Sequence, residues 1–598
     1  MKQNHCLVCA IFIMAFLGCN KTITLTGNEN TAVTANVSEA DVTASVAVMK
    51  TIQFNSKLSY KTTDYGTGLW KYDSSDNVSK ENTGTVIVNN LGQRLKRAYA
   101  GAVSAQWFGL KGDGSDETAA LQAAINASAG NTLTLPAGTF FTRQIVLVSN
   151  ITITGKNSKL RMIQGAYDNI MVSLVGLQNV EISGLEIALN GIQGNIWDGT
   201  TAIELKNCTN VKIDNCFIHD NTFAAIRLIG GNNQIRVNNN FIENTDVGVH
   251  ANNTNTNINI VSNTFSKGTS EGITIYGYDN QNYPTNFLID SNIILNKASF
   301  GINIPFAKFG TITHNTISGC YGGVTMHDAV SVGNDNYYTS DMVIKNNAIS
   351  NATFGIIYVG DRTTVNNNQI SNIQQTGISV NNFANTSILT TSTDISSNTI
   401  TGTGQAGGGA SGIALNNLIN STVTGNIISQ CGQVTSSIRF NGNCNNISIT
   451  GNNCGNGMLQ SPNTNYSQSI IINNNTLPQT YFPIASPFYY KLNMVVSGNK
   501  YTTDTSYNTA PDATGQYTGI NSFNVRSQYN LAAGVVTYIE PSWAGRRIIL
   551  HSTDSFILEQ GNNLTLRGGV GSVAIVPRNG NITFNFDGSV WTEVSRTF

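Results

Sequence analysis

Residues 308–326 read KFGTITHNTISGCYGGVTM, and this unit recurs in varied form along the middle of the chain. Each copy contains a short β-rich stretch, an asparagine, an apolar residue two positions later, and a second β-rich stretch. Repeats of this length predict a solenoid, because one unit cannot bury its apolar face until its neighbours stack on it. The aligned asparagines, separated by steps of 21 to 32 residues, are Asn215, Asn239, Asn263, Asn292, Asn315, Asn347, Asn368, Asn398, Asn426, Asn452, Asn475 and Asn499.

The repeated asparagine marks a corner of each coil. Asparagine tolerates the left-handed backbone that a sharp corner needs, and its amide can bond the same side chain one coil away. We therefore predict an all-β fold: a right-handed, single-stranded parallel β-helix with an N-terminal capping helix and a small C-terminal β-sandwich-like domain.

The composition excludes one class of partner. The net charge is −1 and only 11% of residues are charged, against roughly 25% in an ordinary domain. Binding to nucleic acid needs clustered Lys and Arg to neutralise phosphates, so no nucleic-acid partner is expected. Six cysteines lie at different positions within the coils, which favours buried free thiols over disulfides; they are Cys208, Cys216, Cys320, Cys431, Cys444 and Cys454.

Residues 1–19 have the features of a signal peptide. Lys2 provides a basic start, residues 6–17 are an apolar run, and Gly18 precedes Cys19. The segment resembles a bacterial lipoprotein cleavage box, with Phe16 where leucine is more usual. That resemblance implies a lipid on Cys19 that anchors the protein to a membrane of the cell envelope, at the outer membrane or cell surface. An ordinary secretory signal, giving a secreted protein, is the alternative.

The remaining chain divides into four segments. Residues 20–55 are rich in Thr, Ala, Asn and Val and are predicted to be a tether. Residues 56–104 form a small β module, and residues 105–501 form the β-helix with its cap. There, Asp116 can cap a helix whose apolar face contains Leu121 and Ile125, and this helix closes the open end of the solenoid. Residues 502–598 contain antiparallel-looking β runs punctuated by Asn579-Gly and Asp587-Gly, which predict the C-terminal domain.

The start of the β-helix carries a family resemblance. Trp107-Phe-Gly-Leu-Lys-Gly-Asp-Gly-Ser-Asp-Glu-Thr118, with Leu133-Thr-Leu-Pro-Ala-Gly138 after the helix, closely resembles the opening motif of the pectate lyase/rhamnogalacturonase-like β-helix superfamily. Gly68-Leu-Trp-Lys-Tyr72 resembles the lead-in of phage tailspike-like members. The resemblance implies the fold and a catalytic cleft along the sheet formed by the second strands. It also leaves Ca²⁺ open as a cofactor, because some lyases of the superfamily use it.

The second strand of each coil offers two rows of outward side chains. Its second residue is Ile or Val and is expected to point inward, so the third residue points outward. Coils stack about 4.8 Å apart, which predicts one exposed row of Glu204, Arg227, His250, Thr274, Asn303 and Thr325. A parallel row two positions on contains Lys206, Asn252, Tyr276, His327 and Asn381.

The turns after this strand are expanded at residues 276–285, 328–340 and 382–392 and carry several tyrosines. Aromatic walls beside a polar strip suit sugar rings, whose C–H faces pack on aromatic surfaces. Tyrosines that merely pack on one another are the alternative. The predicted substrate-binding residues are Tyr278, Tyr283, Tyr337, Tyr338, Asp328, Asp361, Lys267 and Lys297.

Two reactions on a polysaccharide fit these residue types. In β-elimination of a uronic-acid polymer, a base removes the proton next to the carboxylate while cations neutralise the developing charge; the candidates are Arg227, Lys206, His250, Tyr276 and His327. Hydrolysis needs two carboxylates, for which Asp246 and Glu271 are candidates on adjacent coils. Elimination is placed marginally first. A catalytically inert glycan-binding surface protein is the third hypothesis, and the oligomeric state is left open.

Overall fold

The computed structural model describes most of the chain after residue 40, and nearly all of it is β-structure. The described residues are 41–163, 169–189, 200–279, 281–327, 339–380, 389–404, 410–432, 436–441, 443–455, 458–460, 468–477, 495–497, 499–501, 506–509, 516–517, 528–539, 545–561, 563–569 and 571–598. Eight residues named above lie outside these ranges: Lys2, Phe16, Gly18, Cys19, Asp328, Tyr337, Tyr338 and Asn381.

A small five-stranded sheet precedes the solenoid. Its strands are Val42–Ala44, Ser59–Thr62, Gly68–Asp73, Val86–Val88 and Arg94–Arg97, with a short helix at Val46–Met49. The first strand falls within the segment predicted as a tether. It pairs with Ser59–Thr62, and Val46 and Met49 lie in the module's core. The module therefore begins at residue 42 rather than 56.

The solenoid is one continuous stack of parallel strands with three strand positions per coil. We name the strands before the repeat asparagine sheet A, those after it sheet B, and the second β-rich stretches sheet C. Sheet A comprises Val103–Ser104, Thr132–Thr134, Thr209–Asp214, Asn233–Asn238, Thr256–Val261, Thr285–Asp290, Lys308–Thr313, Thr339–Ser340, Val343–Lys345, Gly360–Asp361, Thr364–Asn366, Thr390–Thr391, Asp394–Ser396, Leu418–Thr424, Asn445–Thr450, Gln468–Asn473 and Val495–Ser497.

Sheets B and C complete each coil. Sheet B comprises Gly138–Thr142, Thr264–Ser266, Ile293–Leu295, Thr316–Ser318, Ala348–Ala352, Gln369–Ile373, Thr399–Thr403, Ile427–Ser429, Asn453–Cys454, Thr476–Leu477 and Lys500–Tyr501. Sheet C comprises Ile145–Val146, Ile170–Val175, Thr201–Lys206, Ile273–Tyr276, Phe300–Pro305, Gly322–His327, Phe354–Tyr358, Ile378–Val380, Ser411–Asn416, Ser436–Asn441 and Met458–Gln460. Four long strands cross a corner: Ile151–Met162 and Gln178–Ala188 run through A and B, and Phe217–Ile229 and Phe241–Asn252 through B and C.

A helix closes the N-terminal end of the coils. It spans Thr118–Ala127, after a 3₁₀ turn at Ala105–Phe108, and Leu121 and Ile125 join the apolar core of the solenoid. Asp116 accepts a hydrogen bond from the first helical amide, that of Thr118, at 3.0 Å. The predicted plug is therefore present, and Asp116 binds its first turn.

Two adjacent residues at the corner between sheets A and B share the roles that were predicted for one asparagine. One makes the hydrogen bond to the next coil, and the other takes the left-handed backbone conformation. The buried asparagine at 368 donates its side-chain amide to Oδ1 of Asn398, 2.9 Å away. The residue before it, Asn367, takes the left-handed conformation with φ 54°. Ser262 and Ser291 hold the same left-handed position in other coils. The same amide bond links the ladder residues Asn240, Asn263, Asn292, Asn315, Asn347, Asn368, Asn398, Asn426, Asn452, Asn475 and Asn499.

The sequence alignment is one residue out of register in the first two coils. Phe241 pairs with Thr264, which puts Asn240 rather than Asn239 on the ladder. In the preceding coil Cys216 occupies that position, and its amide donates to Asn240 Oδ1 at 2.9 Å. Asn215 and Asn239 instead hold the left-handed position.

Apolar side chains fill the inside of the coils, mainly Ile, Leu and Val from all three sheets. All six cysteines after residue 19 are buried thiols outside any disulfide, as predicted. Burial raises the pKa of Cys216 to about 11 and that of Cys454 to about 12. These thiols therefore stay protonated and serve as core residues.

The C-terminal segment has two sheets around its own apolar core. One contains Ser506–Thr509, Gln528–Leu531, Arg547–Ser552, Asn581–Phe586, Trp591–Arg596 and Leu564–Thr565; the other contains Gln516–Tyr517, Val535–Val536, Phe556–Glu559 and Val573–Val576. The expected antiparallel pairing is confined to the later strands. The first three strands of each sheet pair parallel, so coil-like winding continues beyond residue 501.

Candidate functional site

Sheet C carries the row of side chains that the sequence predicts. In strand register the row runs, coil by coil, through Glu204, Arg227, His250, Thr274, Asn303 and Thr325. The prediction that all six side chains of the row are exposed was wrong. Glu204, Thr274 and Thr325 are buried, whereas the other three are half-buried. The row therefore forms the floor of a strip that is partly accessible to solvent at Arg227, His250 and Asn303.

Several buried polar atoms on this floor have no hydrogen-bond partner within the protein. Among the described residues they include Arg227 Nε, His250 Nδ1, Thr274 Oγ1, Asn303 Oδ1 and Thr325 Oγ1. One such atom costs on the order of 1–3 kcal/mol, and native proteins contain few of them. Five adjacent coils each carry one of these atoms.

Phe223 holds Arg227 and His250 in a fixed relation. Its ring lies edge-on to the imidazole with centroids 5.4 Å apart, and the guanidinium carbon of Arg227 lies 5.3 Å from the ring centre. A β-bulge between Asn221 and Ala224 inserts the extra residue that turns Phe223 over the row. Arg227 also donates to Glu204 at 3.4 Å, the cross-coil ion pair that is the structural alternative for these two residues.

Burial controls the protonation of this group. It lowers the pKa of His250 from 6.5 to about 4, and the positive charge of Arg227 adds to the effect. The imidazole is therefore neutral at pH 7. Burial raises the pKa of Glu204, while Arg227 and Lys206 act in the opposite direction. The pKa of Tyr276 is also raised by burial, so its phenol stays protonated at neutral pH.

The second predicted row lies alongside. Lys206, Ile229, Asn252 and Tyr276 pair in succession, and His327 pairs with Pro305. Lys206 is exposed and Tyr276 half-buried. Five coil steps, about 24 Å, separate Lys206 from His327. One catalytic centre cannot include both. Lys206, Arg227, His250 and Tyr276 lie on four consecutive coils, and His327 lies two coils beyond Tyr276.

Two predicted tyrosines are placed differently. Tyr278 is 48% exposed and its ring stands edge-on to Tyr276 at 4.8 Å between centroids. Tyr283 packs against Phe306 at 4.9 Å, and the Lys308 ammonium lies 4.6 Å from its ring centre. Tyr278 is therefore presented to solvent beside the row, whereas Tyr283 is engaged by its neighbours.

The two candidate carboxylates of hydrolysis lie on adjacent coils, at the corner between sheets B and C. Asp246 accepts a hydrogen bond from Thr269 Oγ1 at 2.5 Å. Glu271 accepts from Ser299 Oγ at 3.0 Å and from Asn303 Nδ2 at 3.5 Å, which ties it to the row. Glu271 is thus the carboxylate that borders the floor.

The lysines and the aspartate predicted to bind substrate are already bonded to other groups of the protein. Lys297 is buried, and its ammonium donates to the carbonyls of Thr245, Asp246 and Lys267 at 2.8–3.0 Å. Burial lowers its pKa to about 8. Lys267 is exposed but paired with Glu243 at 2.6 Å.

Asp361 has a cross-coil partner as well. Its Oδ1 accepts from the Thr391 amide at 2.9 Å and from the Thr391 hydroxyl at 3.1 Å. It lies on a short sheet A strand, past the corner from the row. Asp361 therefore joins successive coils and is not brought together with Arg227 and His250.

Metal and membrane signatures were sought in the part of the chain that the structure describes. It contains no group of three or more His, Cys, Asp or Glu side chains arranged to hold a metal ion. In the same ranges no helix has the length and apolarity to cross a bilayer.

Sequence reasoning missed Phe223. The signal lies in the corrected ladder spacing: 24 residues separate Cys216 from Asn240, but 23 separate Asn240 from Asn263. The additional residue is the bulge that carries Phe223 over the row. With the alignment one residue out of register, both steps equal 24 and the signal disappears.

Comparisons with known proteins agree with this architecture. Residues 140–289 match the family described as right handed beta helix region, and residues 43–100 match the phage tail protein small four-stranded beta-sheet domain. No curated protein sequence matches the chain. The strand topology and the family match together define a right-handed parallel β-helix protein, as predicted.

Several solved structures are similar to this chain at low sequence identity, with TM-scores below 0.5. The enzymatically active domain of bacteriophage CBA120 tailspike protein 2 has 15% identity and a TM-score of 0.43, covering 69% of this chain but only 57% of that one. The A-module of Azotobacter vinelandii mannuronan C-5 epimerase AlgE6 has 16% identity and a TM-score of 0.41, covering 67% and 99%. An exopolygalacturonase from Thermotoga maritima has 13% identity and a TM-score of 0.36, covering 66% of this chain and 91% of that one. These likenesses concern the fold alone.

Proposed function

We propose that this chain is an extracytoplasmic enzyme that cleaves an acidic polysaccharide by β-elimination along sheet C. The observation that carries the proposal is the group formed by Arg227, Phe223 and His250 beside the floor of unpaired polar atoms. A cation and a neutral imidazole on adjacent coils are the residue types that elimination from a uronate requires.

Each residue has a defined task in this proposal. Arg227 binds the uronate carboxylate and neutralises the charge that develops on it. His250, uncharged because its pKa is about 4, takes the proton from the adjacent carbon. The bond from the β-carbon to the glycosidic oxygen then breaks and a carbon–carbon double bond forms. Tyr276, on the next coil and protonated, supplies a proton to the departing oxygen.

Hydrolysis is the second candidate because of Glu204. A general acid needs a carboxyl with a raised pKa, and burial raises the pKa of Glu204. Glu271, the other carboxylate that borders the floor, lies three coil steps, about 14 Å, from Glu204, farther than the roughly 5–9.5 Å between the two carboxyl groups of a glycoside hydrolase. The ion pair of Glu204 with Arg227 opposes protonation, which leaves elimination first.

Incubation with polygalacturonate, alginate and chondroitin discriminates the hypotheses. Ultraviolet absorbance from an unsaturated product supports elimination, reducing ends without that absorbance support hydrolysis, and binding without either supports a glycan-binding surface protein. For elimination, we expect His250→Gln to lower kcat at least 100-fold. The matched control is His314→Gln, at an exposed histidine of the corner between sheets A and B, which should retain full activity. Equal activity of both variants contradicts the proposed site.

The envelope location is proposed on the signal sequence alone. A lipid on Cys19 would tether the enzyme where extracellular polysaccharide is present. Metabolic labelling with a fatty acid tests this point: label on the wild type and none on Cys19→Ser is the expected result. Unlabelled wild-type protein in the culture medium would instead indicate an ordinary secretory signal.

A further inference from the structure

An aromatic group borders the floor where the chain enters sheet C. Phe300, Gly322 and Phe354 occupy one register position on three successive coils. Tyr321 lies between the two phenylalanine rings, edge-on to Phe300 at 5.5 Å and to Phe354 at 5.6 Å between centroids. A Cβ added to Gly322 would lie 2.3 Å from the Phe300 ring. The glycine therefore makes the room that lets these rings approach.

Tyr321 combines a fixed ring with an exposed surface. Its side chain is 47% exposed, although packing against two rings holds its orientation. Its backbone is held too, because its carbonyl accepts from the Thr353 amide at 2.9 Å and its amide donates to Ser299 at 3.0 Å. An aromatic ring already fixed in place loses little conformational entropy when a ligand packs on it.

Polar side chains lie on the coils that precede Tyr321 and farther along its own coil. The Ser299 hydroxyl, in the preceding coil, donates to Glu271 at 3.0 Å. Asn303 donates to the same carboxylate, and its buried Oδ1 lacks a partner. The Thr325 hydroxyl, in the coil of Tyr321, is fully buried and also unpaired. An exposed ring face with a carboxylate two coils before it matches a sugar ring, which has one C–H face and hydroxyls at its edge.

We propose that Tyr321 is the platform of a saccharide subsite, with Glu271 accepting hydrogen bonds from the hydroxyls of the sugar packed on it. The proposal rests on the proposed function and extends it. Three coil steps, about 14 Å, separate this subsite from His250. A polymer rather than a monosaccharide must occupy both places.

The test measures binding separately from cleavage. Affinity electrophoresis in gels containing polygalacturonate, alginate or chondroitin gives Kd for wild type, Tyr321→Ala, Tyr321→Phe and Phe309→Ala. Phe309 is an aromatic residue of sheet A, 55% exposed, and is the matched control. We expect Tyr321→Ala to weaken binding about tenfold, whereas Tyr321→Phe, which keeps the ring, and Phe309→Ala stay within about twofold. Any cleavage should show a raised KM with little change in kcat for Tyr321→Ala.

The outcomes separate the two proposals. Polymer bound without cleavage, and weakened by Tyr321→Ala, leaves the platform standing and overturns the enzyme. Cleavage with unchanged binding by Tyr321→Ala overturns the platform alone. Wild-type protein that binds none of the polymers overturns the platform as well. If Tyr321→Ala fails to fold, Tyr321→Trp replaces it: its fluorescence emission should shift when polymer binds, and an unchanged spectrum on a polymer that wild type binds contradicts the platform.

Discussion

Removal of one amide from the asparagine ladder should destabilise the solenoid strongly. In Asn368, the side-chain nitrogen donates to Asn398 Oδ1 at 2.9 Å and to the Ile344 carbonyl at 3.0 Å. Its oxygen accepts from the backbone and side-chain nitrogens of Asn347, both at 3.0 Å. Asn368→Ala removes four hydrogen bonds and leaves buried groups of Asn347 and Ile344 without those partners. At about 1 kcal/mol for each net bond, we expect a loss of about 4 kcal/mol.

The adjacent asparagine supplies the control. Asn367 is exposed, has φ 54°, and makes no ladder bond. Glycine adopts this conformation readily, so Asn367→Gly should change the unfolding free energy by less than about 0.5 kcal/mol. The two variants therefore separate the left-handed backbone from the amide ladder at neighbouring positions.

Urea unfolding together with hydrogen exchange measures the effect. Exchange is needed because a solenoid can open locally, so one global free energy does not describe it fully. Asn368→Ala should lower the urea midpoint and speed exchange in the coils that contain Asn347, Asn368 and Asn398. If its stability lies within about 1 kcal/mol of Asn367→Gly, the ladder does not hold the coils as argued.

Three further results are expected. The pKa of His250 is lowered to about 4 in the folded protein, so the unfolded chain binds a proton that the folded chain does not as pH falls below 6.5. The free energy of unfolding should therefore drop by about 3 kcal/mol between pH 6.5 and 4. In urea titrations, His250→Gln should remove this part of the decline. Lys297→Met should lower the free energy of unfolding by about 3 kcal/mol, because three carbonyls lose their donor. Gly268→Ala should also destabilise the protein, since its Cβ would lie 2.2 Å from the Lys297 ammonium. In thermal unfolding, the double variant should lose less stability than the sum of the two single variants. Phe223→Ala should reduce kcat with little change in KM, because Arg227 and His250 lose their common support; equal kcat in wild type and variant contradicts that role.

The fold was predictable because its repeat is local and strongly periodic. The inward Ile or Val of sheet C fixed which neighbour points outward, so the register from Arg227 through His250 to Thr274 followed directly. The position of the ladder was less accessible, since Asn239 and Asn240 are the same residue type and only strand pairing separates them. Parallel winding in the C-terminal segment was missed because turn residues such as Asp587-Gly588 indicate hairpins without excluding coils elsewhere.

The sequence predicted which side chains share one face of sheet C but not how deeply each is buried. Burial depends on what covers a strand, so the sequence could not separate buried Thr274 from half-buried Asn303. Lys297 illustrates the same limit. It lies at an inward corner position, and its ammonium reaches the carbonyls of earlier coils because Gly268 leaves space there. This arrangement brings together residues that are far apart in the sequence, so no local sequence pattern predicts it.

The central claim is that acidic polysaccharide lies along sheet C with its carboxylate on Arg227. A crystal structure of the His250→Gln variant soaked with a uronate oligomer from the polymer that binds best tests it most directly. We predict sugar density over Arg227 and Tyr276, with a carboxylate about 3 Å from the guanidinium. Density confined to sheet A, sheet B or the C-terminal sheets, with the Arg227 region empty, would contradict the account.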